Sequence, residues 1–306
     1  MKKVSVAMTT YNGGPFLKKQ LDSILKQTIQ VSEIIVCDDG SSDGTLQILE
    51  EYTRFTNLRY FVNQENIGFV KNFEKALSLC SGEYIVLADQ DDIWYHDKVE
   101  VLLDSIGDNL LIHSDCDLIN DEDEILLKNF KGEIITHKNA EDFLFNNVVT
   151  GCTAMIHRDL LLNTIPFPAG ISYHDWYLAI KAAYLGKITY SSKSLTGYRQ
   201  HNNQDTGTGI NEASSILRNC LFRISGKEFT NLKSTKSQVK NLKATLNDFV
   251  EDVDFHQKHK KMILILEEYV NGFFHFSYGS YYSKKFTDPT KSELIKFINQ
   301  LKFSIG

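Results

Sequence analysis

The chain has 306 residues, 42% of them hydrophobic and 24% charged, with only four prolines, which excludes collagen-like, low-complexity and disordered classes. Its formal charge of −6 is uneven: residues 210–306 carry 15 Lys/Arg against 10 Asp/Glu, and the rest carries 18 against 29. So acidic a front argues against nucleic acid as a partner, while the basic tail suits either an anionic lipid surface or a solvated helical face.

In chain order, Met1-Lys2-Lys3 leads into an apolar run at 4–10 that is too short for a signal segment and reads as a first strand. Helical spacing follows at 16–27, where Phe16, Leu17, Leu21, Ile24 and Leu25 share a face. Strands at 33–37, 58–62, 84–88 and 110–113 then alternate with helices at 45–55, 69–79 and 98–106. This β-α-β alternation predicts an α/β fold with a mostly parallel sheet flanked by helices, whose ligand loops lie at strand carboxyl ends.

Residues 115–132 are acidic and turn-rich, and regular patterns resume at 140–146, 152–157, 176–185 and 188–190. The polar, glycine-bearing stretch 200–209 reads as a boundary. It divides a catalytic domain at 1–209, with halves at about 1–115 and 116–209, from a helical, aromatic-rich appendage at 210–306. The longest apolar run of the tail, 262–266, is far below the roughly 20 residues that span a bilayer. Its aromatic cluster, Phe273, Phe274, Phe276 and Tyr278, fits helix packing, with an acceptor or membrane surface as the alternative. Five dispersed cysteines without a C-x-x-C pair argue against a disulfide framework or zinc site and for reduced thiols in a cytoplasmic protein.

Two motifs carry chemistry. Asp38-Asp39-Gly40-Ser41-Ser42-Asp43-Gly44-Thr45 follows a buried strand and precedes a helix. Its carboxylates could accept hydrogen bonds from a base or a ribose, or could serve only a turn and helix cap. Asp89-Gln90-Asp91-Asp92 ends the next strand, and three carboxylates in four residues are costly unless a cation or hydrogen-bond donors compensate them. Mg²⁺ or Mn²⁺ held by a diphosphate meets that need; a solvated acidic turn is the alternative.

These two motifs, with Val4 to Asn12 and Asn66-Ile67-Gly68 in the same order, resemble family 2 glycosyltransferases of GT-A fold over about residues 3–201. The D-Q-D-D-I-W run and the later Tyr198-Arg199-Gln200-His201 look like bacterial rhamnosyltransferase-type enzymes of surface polysaccharide assembly. The resemblance implies an inverting transfer of a sugar, with rhamnose the candidate, from a TDP- or UDP-sugar to a glycan or lipid-linked glycan. By position, Thr10, Tyr11, Asp39, Asn66 and Asp89 would contact the nucleotide, Asp39 taking the base N3–H and Asp89 facing the ribose. Asp91 would bind the Mn²⁺ or Mg²⁺, and His201 is either a further ligand or a loop histidine. Asp175, at the start of a helical run, would be the base that deprotonates the acceptor, although an Asp there is also a common N-cap. His174 stands where the family often has Glu. Peripheral contact with the inner face of the cell membrane through the tail is the matching location.

Two other classes compete. A nucleotidyltransferase would need a glycine- and basic-rich phosphate loop after the first strand, and Tyr11-Asn12-Gly13-Gly14-Pro15 has no adjacent Arg. A catalytically silent nucleotide-sugar-binding protein would not need Asp39, Asp89, Asp91 and Asp175 together. Asp115 to Glu124 lacks the glycine and glutamate spacing of a calcium loop, and Cys152 reads as a buried thiol on the acceptor side.

Overall fold

The computed structural model describes residues 2–54, 56–132, 140, 143, 147–162, 164–201, 240, 241, 243–249 and 260. The chain forms strand β1 (Val4–Thr10), helix α1 (Gly14–Leu25), β2 (Glu33–Asp38), α2 (Thr45–Thr53), β3 (Leu58–Val62), α3 (Phe69–Leu79) and β4 (Tyr84–Ala88). Then come β5 (Ile93–Trp94), α4 (Lys98–Ser105), β6 (Leu111–Ile119), β7 (Ile125–Leu127), a 3-10 turn (Gly151–Thr153) and β8 (Ala154–His157). Helices α5 (Arg158–Leu162) and α6 (His174–Tyr184) and strand β9 (Ile188–Arg199) follow.

Among the described residues the strands form one sheet in the order β3-β2-β1-β4-β8-β6-β9-β5, with β7 paired to β6. The parallel pairing holds for β3-β2-β1-β4 and for β6-β9, whereas β8 runs antiparallel to both β4 and β6. Strand β1 is buried along its whole length because helices cover both faces. Val6, Met8 and Val86 join Leu17, Leu21 and Ile24 of α1 in one apolar cluster, while α3 packs on β1 and β2. Period-two alternation along each strand thus feeds two helix layers.

The order of the strands places the ligand edge. From β1 the chain steps outward one way to β2 and β3, and β4 returns to the other side of β1. That reversal between β1 and β4 is a topological switch point, where open α/β sheets leave a crevice outside the strand carboxyl ends. Thr10, Asp38, Asp89 and Arg199 end or follow strands at this edge. Because β8 is antiparallel, its amino end and the Gly151–Thr153 turn reach the same edge.

Strand β6 runs six residues beyond the expected 113, carrying Asp115, Cys116 and Asp117 into the interior. These carboxylates bind protein groups: Asp115 accepts the N–H groups of Lys131 (2.8 Å) and Gly132 (3.0 Å), and Asp117 accepts Asn129 N–H and the Tyr95 hydroxyl. Strand β9 likewise extends to Arg199 rather than ending near 190. Cys37, Cys80, Cys116 and Cys152 are buried free thiols; Cys220 lies outside the described residues. No helix among the described residues is long and apolar enough to cross a membrane.

The chain divides into two compact units, the first of Met1–Phe143, Val148–Phe167 and His174–Ala213, the second of Leu144–Asn147, Pro168–Tyr173 and Ser214–Gly306. In the second, the Asn241 amide oxygen accepts Ser172 N–H at 2.7 Å and Tyr173 N–H at 3.2 Å. Most of the expected appendage at 210–306, including the aromatic cluster at 273–278, lies outside the described residues.

Candidate active site

The loops after β1 and β2 are tied together by side chains. Ser41 Oγ accepts Asn12 N–H, Asn12 Oδ1 accepts Ser42 N–H, and Thr45 Oγ1 accepts Gly13 N–H, at 2.8, 2.9 and 2.9 Å. Asp43 accepts Gly14 N–H (3.0 Å) and both the N–H and hydroxyl of Thr45. Burial alone would raise its pKa, but these donors outweigh it and hold the carboxyl below its ordinary range.

Asp38 is fully buried and takes the Thr10 hydroxyl, Ser41 hydroxyl and two turn N–H groups. Thr10 therefore contributes its hydroxyl to the loop framework. Asp39 accepts Asn63 Nδ2 and Ile67 N–H on one oxygen and Gly68 N–H on the other, at 2.8, 2.9 and 2.9 Å. With about four lone-pair positions on a carboxylate, one on Oδ2 remains for a further donor. Asn66 is exposed and caps Gly68 N–H through Oδ1. The positive φ of Gly68 (+83°) lets this loop turn into α3.

The acidic run after β4 divides its contacts. The Gln90 amide pairs with both backbone groups of Tyr11, accepting its N–H at 2.8 Å and donating to its carbonyl at 3.1 Å, while the Tyr11 ring stays exposed. A Cβ on Gly13 would stand 2.2 Å from Gln90 Oε1, so this docking requires glycine. Asp91 Oδ2 lies 2.8 Å from His201 Nε2. That hydrogen bond, ahead of the opposing burial, raises the His201 pKa. Asp92 is fully buried, accepts Arg199 N–H through Oδ1 at 3.0 Å, and has no hydrogen-bond partner for Oδ2. Asp89 is half-buried, yet desolvation, then Asp92, Asp91 and Asp175, push its carboxyl well up. Burial and then Asp91 raise Asp92 as well.

Cations of the chain itself offset part of this negative charge. The buried Arg199 guanidinium donates to the Asp91 carbonyl (2.6 Å), the Asn120 carbonyl and Asp123 Oδ1 (2.6 Å), and stacks over Phe16. Lys98 is also fully buried; its Nζ donates to the Cys152 carbonyl and Thr196 Oγ1 and sits 4.2 Å from the Trp94 ring centroid. Desolvation lowers the Lys98 pKa against the raising fields of Cys152 and Asp92.

Asp175 is the second residue of α6, and its carboxylate accepts Gly151 N–H (3.1 Å) and Trp176 N–H (2.7 Å). After burial, Asp92 and Asp91, its charge also contributes to the raised Asp89 carboxyl. His174 is buried, stacked on Phe73 with centroids 4.0 Å apart, and neither ring nitrogen has a hydrogen-bond partner among the described residues. Burial lowers its pKa to about 3, so it is neutral at physiological pH.

Two donor sets fit a divalent ion. Asp91 Oδ2 and His201 Nε2 are separated by 2.8 Å, close to the roughly 3 Å edge of an octahedron with about 2.1 Å bonds. The ligand atoms of Asp89, Asp92 and Cys152 lie within 4.8 Å of one another and could also hold an ion. A thiol suits softer metals, and Lys98 already brings positive charge to this inner set. The oxygen and imidazole pair suits Mn²⁺ or Mg²⁺ better.

The model for "Glycosyl transferase family 2" matches residues 5–163, from β1 into the segment after α5. The chain belongs to glycosyl transferase family 2. It is similar to the dTDP-rhamnosyl transferase RfbG of Shigella flexneri, 28% identical over 257 residues that cover 76% of this chain and 87% of that protein. Similarity extends to the UDP-Glc:alpha-D-GlcNAc-diphosphoundecaprenol beta-1,3-glucosyltransferase WfgD of Escherichia coli, 30% identical over 57% of this chain and 67% of that one. Among solved structures, S. aureus TarS 1-349 in complex with UDP-GlcNAc superposes with a TM-score of 0.60, covering 99% of this chain and 82% of its own at 21% identity, a likeness of fold.

This family 2 member is thus a glycosyltransferase, and the nucleotidyltransferase alternative falls away. Sequence reasoning gave Gln90 no contact of its own within the acidic run and singled out neither Gly13 nor Lys98. For Lys98 the available signal was a cation four residues after Trp94, where a helix begins. Lysine at a helix amino end opposes the macrodipole, so its placement there asks for another cause.

Proposed function

We propose that this glycosyltransferase moves a sugar, with rhamnose the candidate, from a thymidine or uridine diphosphate donor to a glycan or lipid-linked glycan acceptor, inverting the anomeric carbon. The observation that carries the reading is the convergence, at one sheet edge, of the acidic loop Asp89–Asp92 and the separate carboxylate Asp175. The names of the relatives support it: one is a dTDP-rhamnosyl transferase, one uses UDP-Glc, and the fold relative was solved with UDP-GlcNAc.

Residues 1–209 form the catalytic domain in this reading, donor side at about 1–115 and acceptor side at about 116–209. The exposed Tyr11 ring, Thr10 at the loop base and Asn66 line the nucleoside, the open lone pair of Asp39 takes the base N3–H, and Asp89 takes the ribose. Asp91 and His201 hold Mn²⁺ or Mg²⁺. When bound, the ion neutralises charge that builds on the departing diphosphate. Asp175 accepts the proton of the attacking hydroxyl; the Gly151 N–H aims its carboxylate. A tail-mediated contact with the inner face of the membrane completes the proposal.

A donor screen across thymidine, uridine and guanosine diphosphate sugars, read as nucleoside-diphosphate release, tests the function; no release from any thymidine or uridine donor contradicts it. For the base, Asp175→Asn should cut kcat at least about 100-fold while leaving UDP affinity within about threefold. Unchanged turnover removes Asp175 from that role.

A further inference from the structure

Lys98 costs the fold twice, since a buried ammonium is desolvated and the amino end of α4 repels it. What it gains is a specific set of contacts. Nζ donates to the carbonyl of Cys152, inside the Gly151–Thr153 turn, and to Thr196 Oγ1 on β9 at 2.8 Å, with the Trp94 ring at 4.2 Å. The residue before Cys152 is Gly151, whose N–H holds the Asp175 carboxylate at 3.1 Å. One buried cation thus pins the short turn whose Gly151 N–H holds one oxygen of the α6 residue Asp175, and its own anchors, Trp94 and α4, directly follow the acidic loop Asp89–Asp92.

We propose that Lys98 is a positioning residue for the transfer step, setting the Asp175 carboxylate against the donor loop through the Gly151–Thr153 turn. This rests on the reading of Asp175 as the base. Lys98 touches no substrate; it acts through the turn. Its loss lets the turn drift, and a shift of about 1 Å at a catalytic group costs up to about 100-fold in rate.

A double-mutant cycle of Lys98→Met and Asp175→Asn tests the link, with turnover of dTDP-rhamnose and UDP-glucose followed as nucleoside-diphosphate release and UDP affinity measured by calorimetry. Lys98→Met should lower kcat about tenfold or more, keep the UDP Kd within about threefold, and cause no further loss in the Asp175→Asn background. Unchanged kcat, a loss seen in UDP affinity, or a loss that multiplies in full with that of Asp175→Asn overturns the proposal. Should Lys98→Met fail to fold, Thr196→Val removes one anchor of Nζ and should give a smaller kcat-only loss, again absent beside Asp175→Asn; full multiplication there, or no loss, counts against it. Normal turnover by Asp175→Asn alone defeats the base reading, and the cycle separates that failure from a failure of the linkage.

Discussion

Gln90 is the member of the acidic run that pairs with both backbone groups of Tyr11, and Gly13 is the position that lets it do so. Gly13→Ala should displace only the end of a flexible side chain, so stability should fall by no more than about 2 kcal/mol, the worth of two hydrogen bonds. UDP affinity should fall up to about tenfold as Tyr11 and the donor loop lose their mutual support; thermal unfolding and calorimetry read the two effects. His174 makes a prediction about pH. Its folded pKa, about 3, lies below the ordinary 6.5, so between those values the unfolded chain binds the extra proton. Stability is therefore present above 6.5 and lost as pH falls toward 3, at up to about 1.4 kcal/mol per pH unit. Urea unfolding between pH 6.5 and 5 should show this slope, and His174→Leu should flatten it. The two metal sets are separable too: Asp91→Asn should weaken Mn²⁺ binding at least about tenfold and Cys152→Ser should leave it nearly unchanged. At this scale, spacing marked Asp175 as a carboxylate opening a helix. It could not tell that three acceptor positions of Asp39 serve Asn63, Ile67 and Gly68, because those partners lie 24 to 29 residues away.

Elements whose periodicity extends over a full face were legible, and short or polar-bearing ones were not. Strands at 4–10, 58–62 and 84–88 and the helix at 69–79 form with the expected bounds. Strands β5 and β7, of two and three residues, and the five-residue α5 are too short to show a period. Strand β6 escaped for a different reason. Asp115 and Asp117 resemble a turn in sequence, but partners in the 129–132 segment and Tyr95 make their burial tolerable. Strand β9 ends on Arg199, which bridges the donor loop, the 120–123 turn and Phe16. Arg199→Met leaves the Asp91 and Asn120 carbonyls and the partly exposed Asp123 without this donor, and losing these charge-assisted hydrogen bonds costs about 3–5 kcal/mol. At about 2–4 °C per kcal/mol for a domain of this size, calorimetry should register a melting temperature lower by roughly 6–20 °C.

For the molecule as a whole, the β-α-β alternation was enough to give the mostly parallel sheet with flanking helices, and the observed order puts the reversal between β1 and β4, beside Tyr11 and Asp89. The antiparallel β8 was not foreseeable from periodicity, which is the same for either strand direction. Yet β8 is what brings the Gly151–Thr153 turn, to which the Asp175 carboxylate is hydrogen-bonded, to the edge where β1 and β4 end. The same assembly answers the electrostatic problem posed by three carboxylates in four residues. The Arg199 guanidinium at the Asp91 carbonyl and the buried Lys98 offset part of that charge from within the chain. The proposed function rests most on a nucleoside-diphosphate site completed by a divalent ion on Asp91. Calorimetric titration of UDP and TDP into the wild type and Asp91→Asn, each with and without Mn²⁺, tests it most directly. Binding to the wild type should strengthen at least about tenfold with Mn²⁺ and the gain should vanish in Asp91→Asn; equal affinity with and without the ion, or no binding of either nucleotide, would contradict the claim.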